Sequence, residues 1–153
     1  MTKKIFFLFL LFPINGIAME LKCNFEEVYM DGSVQNGLLY IKEDLARYEY
    51  ADPQLFTLIK RTKKFYLRRN DRPEIVNEVK ENTELADTII NVIRDFPDIK
   101  QSFQIDKYDI DIELSKKEDF IKRISIKSDG KNLSVYFNGC ENIFMDKKLF
   151  EIF

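Results

Sequence analysis

The chain has 153 residues with a formal net charge of −2; 33% are charged and 45% hydrophobic, including 14 Phe and 7 Tyr but neither Trp nor His. That length supports one domain with a full core. Lacking His, it has no usual neutral-pH general base, no Ser–His or Cys–His nucleophile pair and none of the commonest metal ligand, so it reads as a non-enzyme without cofactor or metal.

Residues 1–18 have the layout of a targeting segment. Lys3 and Lys4 give a positive start, Ile5 to Phe12 a short apolar run, and Gly16-Ile17-Ala18 places small residues at the two cleavage-defining positions. The run falls short of the roughly 20 residues that a spanning helix needs. The expectation is a cleaved signal peptide at 1–18 and a single exported domain at 19–153, with a retained N-terminal strand or anchor as the alternative. Glu20-Leu21-Lys22 lacks the small residue that precedes a lipidated cysteine, so Cys23 is not expected to carry lipid. Export would place Cys23 and Cys140, the only cysteines, where disulfides persist. A bond between them would tie the first strand to one of the last; two buried free thiols or a redox pair are the alternatives, although the separation is unlike CxxC spacing.

Leu21 to Met30 reads as a strand with Leu21, Cys23 and Phe25 on one side, leading to a loop at Asp31-Gly32. Two strands follow, Leu38 to Lys42 and Leu45 to Tyr50, joined at Glu43-Asp44. In the second, Ala46, Tyr48 and Tyr50 share one face and Arg47 and Glu49 the wet one. Leu55 to Lys60 places Phe56 and Leu58 on one side and Leu55, Thr57 and Ile59 on the other. Phe65-Tyr66-Leu67 lies between basic turns at 61–64 and 68–71, and Glu74 to Val79 is a weaker strand. Short strands with turns every eight to ten residues predict an antiparallel meander.

The period then changes to that of a helix. Leu85, Ile89, Val92, Ile93 and Phe96 recur at three-four spacing, Asn82 or Thr83 is the expected cap, Pro97 the stop, and Ile90 a residue at the flank of the apolar stripe. Strands return at Ser102 to Ile105 and at Tyr108 to Leu114, where Asp109, Asp111 and Glu113 form the outer face and are read as its wet side rather than as metal ligands. Phe120 to Lys127 puts Phe120, Lys122, Ile124 and Ile126 on one side. Ser128-Asp129-Gly130-Lys131 is a hairpin turn, and Leu133, Val135 and Phe137 continue the meander.

Gly37-Leu38-Leu39-Tyr40-Ile41-Lys42, then Arg47-Tyr48-Glu49-Tyr50 closing on Pro53, then Phe65-Tyr66-Leu67, the Leu85 to Phe96 helix, Asp129-Gly130, and Asn142 followed by Asp146 to Phe150 come in an order that resembles the periplasmic outer-membrane lipoprotein carriers, the LolA-like family and its acceptor relatives. The resemblance covers nearly all of residues 19–153. It implies an α+β fold, a curved antiparallel sheet forming an unclosed β-barrel with a helical lid, that shelters lipoprotein acyl chains in the periplasm. It also implies partners, an inner-membrane release machinery and an outer-membrane acceptor; a monomer is expected, and export separates it from nucleic acid. Two departures stand out. Glu43-Asp44 replaces the family's Arg-Pro, removing the arginine held to latch the lid, and the N-terminal helix before the first strand is missing or reduced.

The resemblance assigns Ala46, Tyr48 and Tyr50 to a cavity lining, and pattern adds Phe56, Leu58, Ile89 and Ile93; the plainer alternative is that all seven fill an ordinary core. Lys60, Arg61, Lys63, Lys64, Arg68, Arg69 and Arg72 form a basic cluster, within which Arg61, Lys63 and Lys64 are the expected contacts to an acidic partner or anionic headgroups. A lipid- or lipoprotein-sensing module of the same fold is the alternative to the carrier, and a carboxylate-dependent hydrolase a distant third.

Overall fold

The first and last described strands pair in the middle of one ten-stranded antiparallel sheet. The computed structural model describes residues 20–81 and 83–153, so the expected leader at 1–18 and the expected cap Asn82 lie outside the described residues. In chain order the strands are β1 (Glu20–Tyr29), β2 (Val34–Lys42), β3 (Leu45–Tyr50), β4 (Phe56–Arg61), β5 (Lys64–Arg69) and β6 (Val76–Val79), then β7 (Ser102–Ile105), β8 (Tyr108–Leu114), β9 (Ile121–Ser128) and β10 (Lys131–Asn142). Among the described residues a single α-helix, α1 (Glu84–Arg94), joins β6 to β7, and a 3-10 turn at Lys147–Phe150 follows β10. Spatial order is β6-β5-β4-β3-β2-β1-β10-β9-β8-β7. The two edges are therefore the four-residue strands on either side of α1, and the sheet curls around that helix without closing.

Period-two alternation sets the concave face. Leu21, Cys23 and Phe25 on β1, Leu39 and Ile41 on β2, Ala46 on β3 and Phe65 on β5 form one buried cluster with Ile110, Ile112, Ile124, Ile126, Val135 and Phe137 from the other half. Gly37 lies opposite Phe25 in the β1–β2 register. Its missing side chain leaves room for the Phe25 ring, which stacks on Tyr48 at 3.8 Å and meets Tyr50 edge-on at 5.5 Å.

The expected disulfide is present. Lys22 pairs with Glu141 and Asn24 with Asn138, so Gly139 and Cys140 together face Cys23. This extra residue is a bulge, and Gly139 takes the positive φ of 56° that it requires. The bulge brings the Cα atoms of Cys23 and Cys140 to 4.1 Å, and the bond links β1 to β10.

Several expectations need correction. Arg47 is 8% exposed, not on a wet face, and Thr57 and Ile59 on the same side of the sheet are fully buried. The cover is the segment after β10, whose 3-10 turn lies against β3 and β4 with Met145 and Phe150 buried. Polar side chains strap it down: Lys42 Nζ donates to the Met145 carbonyl at 2.6 Å, Arg47 Nη1 to the Leu149 carbonyl at 3.2 Å, and the Met145 N–H to Glu20 Oε2 at 2.6 Å. Lys42 also pairs with Glu20 at 2.8 Å. Arg68 and Arg69 belong to β5 rather than to a turn.

On α1 the buried residues are Ile90 and Ile93, so Ile90 sits at the centre of the packed face and Ile89 at its flank, the reverse of the spacing read from the sequence. The helix ends at Arg94, and Phe96 instead packs edge-on against Phe120 at 5.1 Å; a residue before proline is sterically turned away from helical geometry. Thr83 occupies the cap position without a side-chain cap bond. In β8 and β9 the register shifts between Glu113 and Leu114. Lys122 is thereby expelled to Glu113, Ile121 turns inward in its place, and Leu114 is left 37% exposed.

Candidate functional site

Between α1 and the concave face lies a cavity of about 290 Å³. Its floor is Tyr48, Tyr50, Phe56 and Leu58 from β3 and β4, its roof Leu85, Ala86, Ile89 and Ile90 from α1, and its far wall Ile126, Leu133, Val135 and Phe137. A second cavity of about 430 Å³ adjoins it, sharing Leu85, Ile126 and Leu133 and reaching Tyr29 and Met30 at the β1–β2 turn. Met30 is 72% exposed and Val34, across the same turn, 48%.

Of the seven residues expected to line a cavity, five do: Tyr48, Tyr50, Phe56, Leu58 and Ile89. Ala46 and Ile93 are each 1% exposed and belong to the closed core at the other end of the helix. The side chain that sequence reasoning missed is Glu27. It is 5% exposed on the concave face of β1 and is the one charged group in the lining. Tyr48 donates to its Oε1 at 2.7 Å, while Tyr50 and Tyr29 donate to its Oε2 at 2.9 and 2.5 Å. Among the described residues no lysine or arginine pairs with it.

This arrangement fixes the phenols as donors. Burial, and next the hydrogen bond to Glu27, push Tyr29 up to about 12 from an ordinary value of 10.0. Burial and then the Glu27 charge drive Tyr48 and Tyr50 well above that ordinary value too. The signal in the sequence was the even spacing Cys23, Phe25, Glu27, Tyr29, which continues the inward face through a carboxyl group.

Among the described residues the helix is held over the cavity by side chains alone. Lys60 Nζ, from the concave face of β4, meets Asp87 Oδ1 at 2.6 Å, and Arg94 Nη1 meets Asp44 Oδ1 in the β2–β3 turn at 3.2 Å. Asp44 of the Glu43-Asp44 turn thus pairs with an arginine carried by the helix. The basic cluster is correspondingly smaller than read from sequence. Lys60 is buried, Lys64 pairs with Glu78 at 3.3 Å, and Arg69 and Arg72 share Asp71. Arg61 and Lys63 are exposed on the β4–β5 turn. Among the described residues no group of acids or cysteines could hold a metal, and no helix is long and apolar enough to cross a membrane.

The solved structure of a LolA superfamily protein from Nitrosomonas europaea shares this fold, with a TM-score of 0.51 and 9% sequence identity over 92% of this chain and 91% of that one. At that identity the likeness is one of fold: a large, curved, unclosed antiparallel sheet carrying a helix. No protein-family model matches the chain, and no curated protein matches it.

Proposed function

We propose that this protein is a non-enzymatic periplasmic carrier that shelters the acyl chains of a lipoprotein, or of another lipid, between α1 and the concave face of the sheet. The observation that carries the reading is the apolar cavity beneath a helix that only side chains hold in place. Hiding an acyl chain from water is worth roughly 0.8 kcal/mol per methylene, and burying Ile90 about 1.5–3 kcal/mol. An entering chain that displaces Ile90 from the sheet gives back part of that gain, which lowers the free energy that release must supply. The Cys23–Cys140 bond supports an oxidising compartment.

The test is extraction. The purified, oxidised protein is mixed with inner-membrane vesicles that hold labelled lipoproteins and the energy-coupled release machinery, and label is followed into a soluble one-to-one complex. Soluble complex that is lost in a folded Ile89→Asp variant supports the carrier. No extraction by the folded protein sinks it. Uptake with no hand-over to acceptor membranes would favour the sensing module instead.

A further inference from the structure

Resting on the reading of this cavity as an acyl-chain site, we propose that Glu27, with the hydroxyls of Tyr29, Tyr48 and Tyr50, receives a cationic ammonium headgroup. The preferred ligand is then an acyl amphiphile ending in a primary amine rather than in an acid.

Four observations converge on this assignment. Glu27 is 5% exposed, and buried carboxylates are costly unless a cation compensates them. Among the described residues every other strongly buried charge has such a partner or lies on the convex face: Lys60 has Asp87, Lys42 has Glu20, and Arg47 has Glu49. Glu27 has only neutral donors, three phenols that lower the cost of burying it but leave its charge uncancelled. Those three bonds leave room for one more, since an ionised carboxylate offers about four lone-pair sites. Finally, the group faces a cavity and not a sealed core, with two tyrosine rings alongside it. An ammonium brings three donors for the free carboxylate position and the phenol oxygens, and the ring faces favour a cation as well. A carboxylate or phosphate head in the same place would meet Glu27 as a like charge. From there the chain has the length of the cavity under Ile89 and Ile90, and the adjoining one beneath Leu85, to occupy.

Calorimetric titration of the disulfide-bonded protein with dodecylammonium, dodecanol and dodecanoate, all below micelle formation at neutral pH, tests the assignment. The tail is constant and the head alone varies. Dodecylammonium is expected to bind at least about tenfold more tightly than dodecanoate, the scale of one hydrogen bond to a charged group. Glu27→Gln is expected to erase that preference while dodecanol still binds. Equal affinities for the ammonium and the carboxylate, or a preference that survives in Glu27→Gln, would overturn the headgroup assignment and leave the acyl-chain reading standing. Failure of all three to bind would overturn both. Should Glu27→Gln not fold, the comparison is made on the unaltered protein, where nuclear Overhauser contacts from the methylene beside the nitrogen must fall on the Tyr48 and Tyr50 rings; contacts elsewhere refute the proposal.

Discussion

Position 37 admits no side chain. A Cβ there would lie 2.6 Å from Phe25 Cζ and closer still to the Glu49 carbonyl oxygen, which is backbone and cannot move aside. Gly37→Ala is therefore expected to lower the unfolding free energy by about 1–3 kcal/mol, read as a fall in the urea midpoint at unchanged slope. Phe25 was legible as an inward residue because its neighbours Leu21 and Cys23 are apolar at the same spacing. Two positions on, Glu27 was not, since a charge on an apolar stripe reads as the stripe's end until its partners are in view. Those partners make a prediction about pH. A phenol whose folded pKa is raised favours the folded state in its protonated form. Its contribution is complete below the ordinary value of 10.0 and is lost as pH climbs from there towards about 12 for Tyr29, and further for Tyr48 and Tyr50. Unfolding measured through that alkaline range should show stability falling steadily, with tyrosinate absorbance lagging behind that of the urea-unfolded chain. An absorbance curve identical in folded and unfolded protein would contradict the cluster.

Among the elements, the β1–β10 pair and α1 are held by different means. The Cys23–Cys140 bond closes a loop with a sequence separation of 117, for which chain entropy predicts a loss of about 4–5 kcal/mol on reduction. Urea unfolding of a Cys23→Ser, Cys140→Ser variant beside the oxidised protein measures it, and a difference under about 1 kcal/mol would show that the reduced unfolded chain is already constrained. By contrast α1 makes its buried ion pair through Lys60, whose side chain is 5% exposed against 43% for Asp87. Asp87→Asn leaves the lysine buried with no carboxylate; the expected cost is about 1–2 kcal/mol, below that of a fully buried pair because water already reaches Asp87. Hydrogen exchange should locate the loss in α1, with β1, β2 and β10 unchanged. Arg94→Ala should do much less, because Asp44 is 72% exposed. The helix was legible from its period, but its contact face was displaced by one residue. Ile89 and Ile90 are both apolar, and only the curvature of the sheet decides which of them points at it.

For the molecule as a whole, hairpins and turns were readable from the sequence, and so were the meander and the place of the helix within it. The double cover was not. Burial of Arg47, Thr57 and Ile59 depends on a segment about a hundred residues later, and alternation on β3 looks the same whether its outer side is wet or strapped. Arg61 and Lys63 project from the β4–β5 turn. If that turn meets an acidic acceptor or anionic headgroups, Arg61→Glu with Lys63→Glu should slow hand-over of cargo at low salt and flatten its salt dependence, at unchanged thermal stability; kinetics identical to the unaltered protein would dismiss the contact. The central pairing of β1 with β10 also governs how the molecule comes into being. β2 to β6 can add to β1 in sequence order, yet the other edge of β1 stays open until the last strand arrives more than a hundred residues later. Such a high contact order places folding in the slow range of milliseconds to seconds. Throughout that wait a half-sheet with one bare edge and an uncovered apolar face is exposed to other chains, so the interval before β10 docks is when this protein is most easily lost to aggregation.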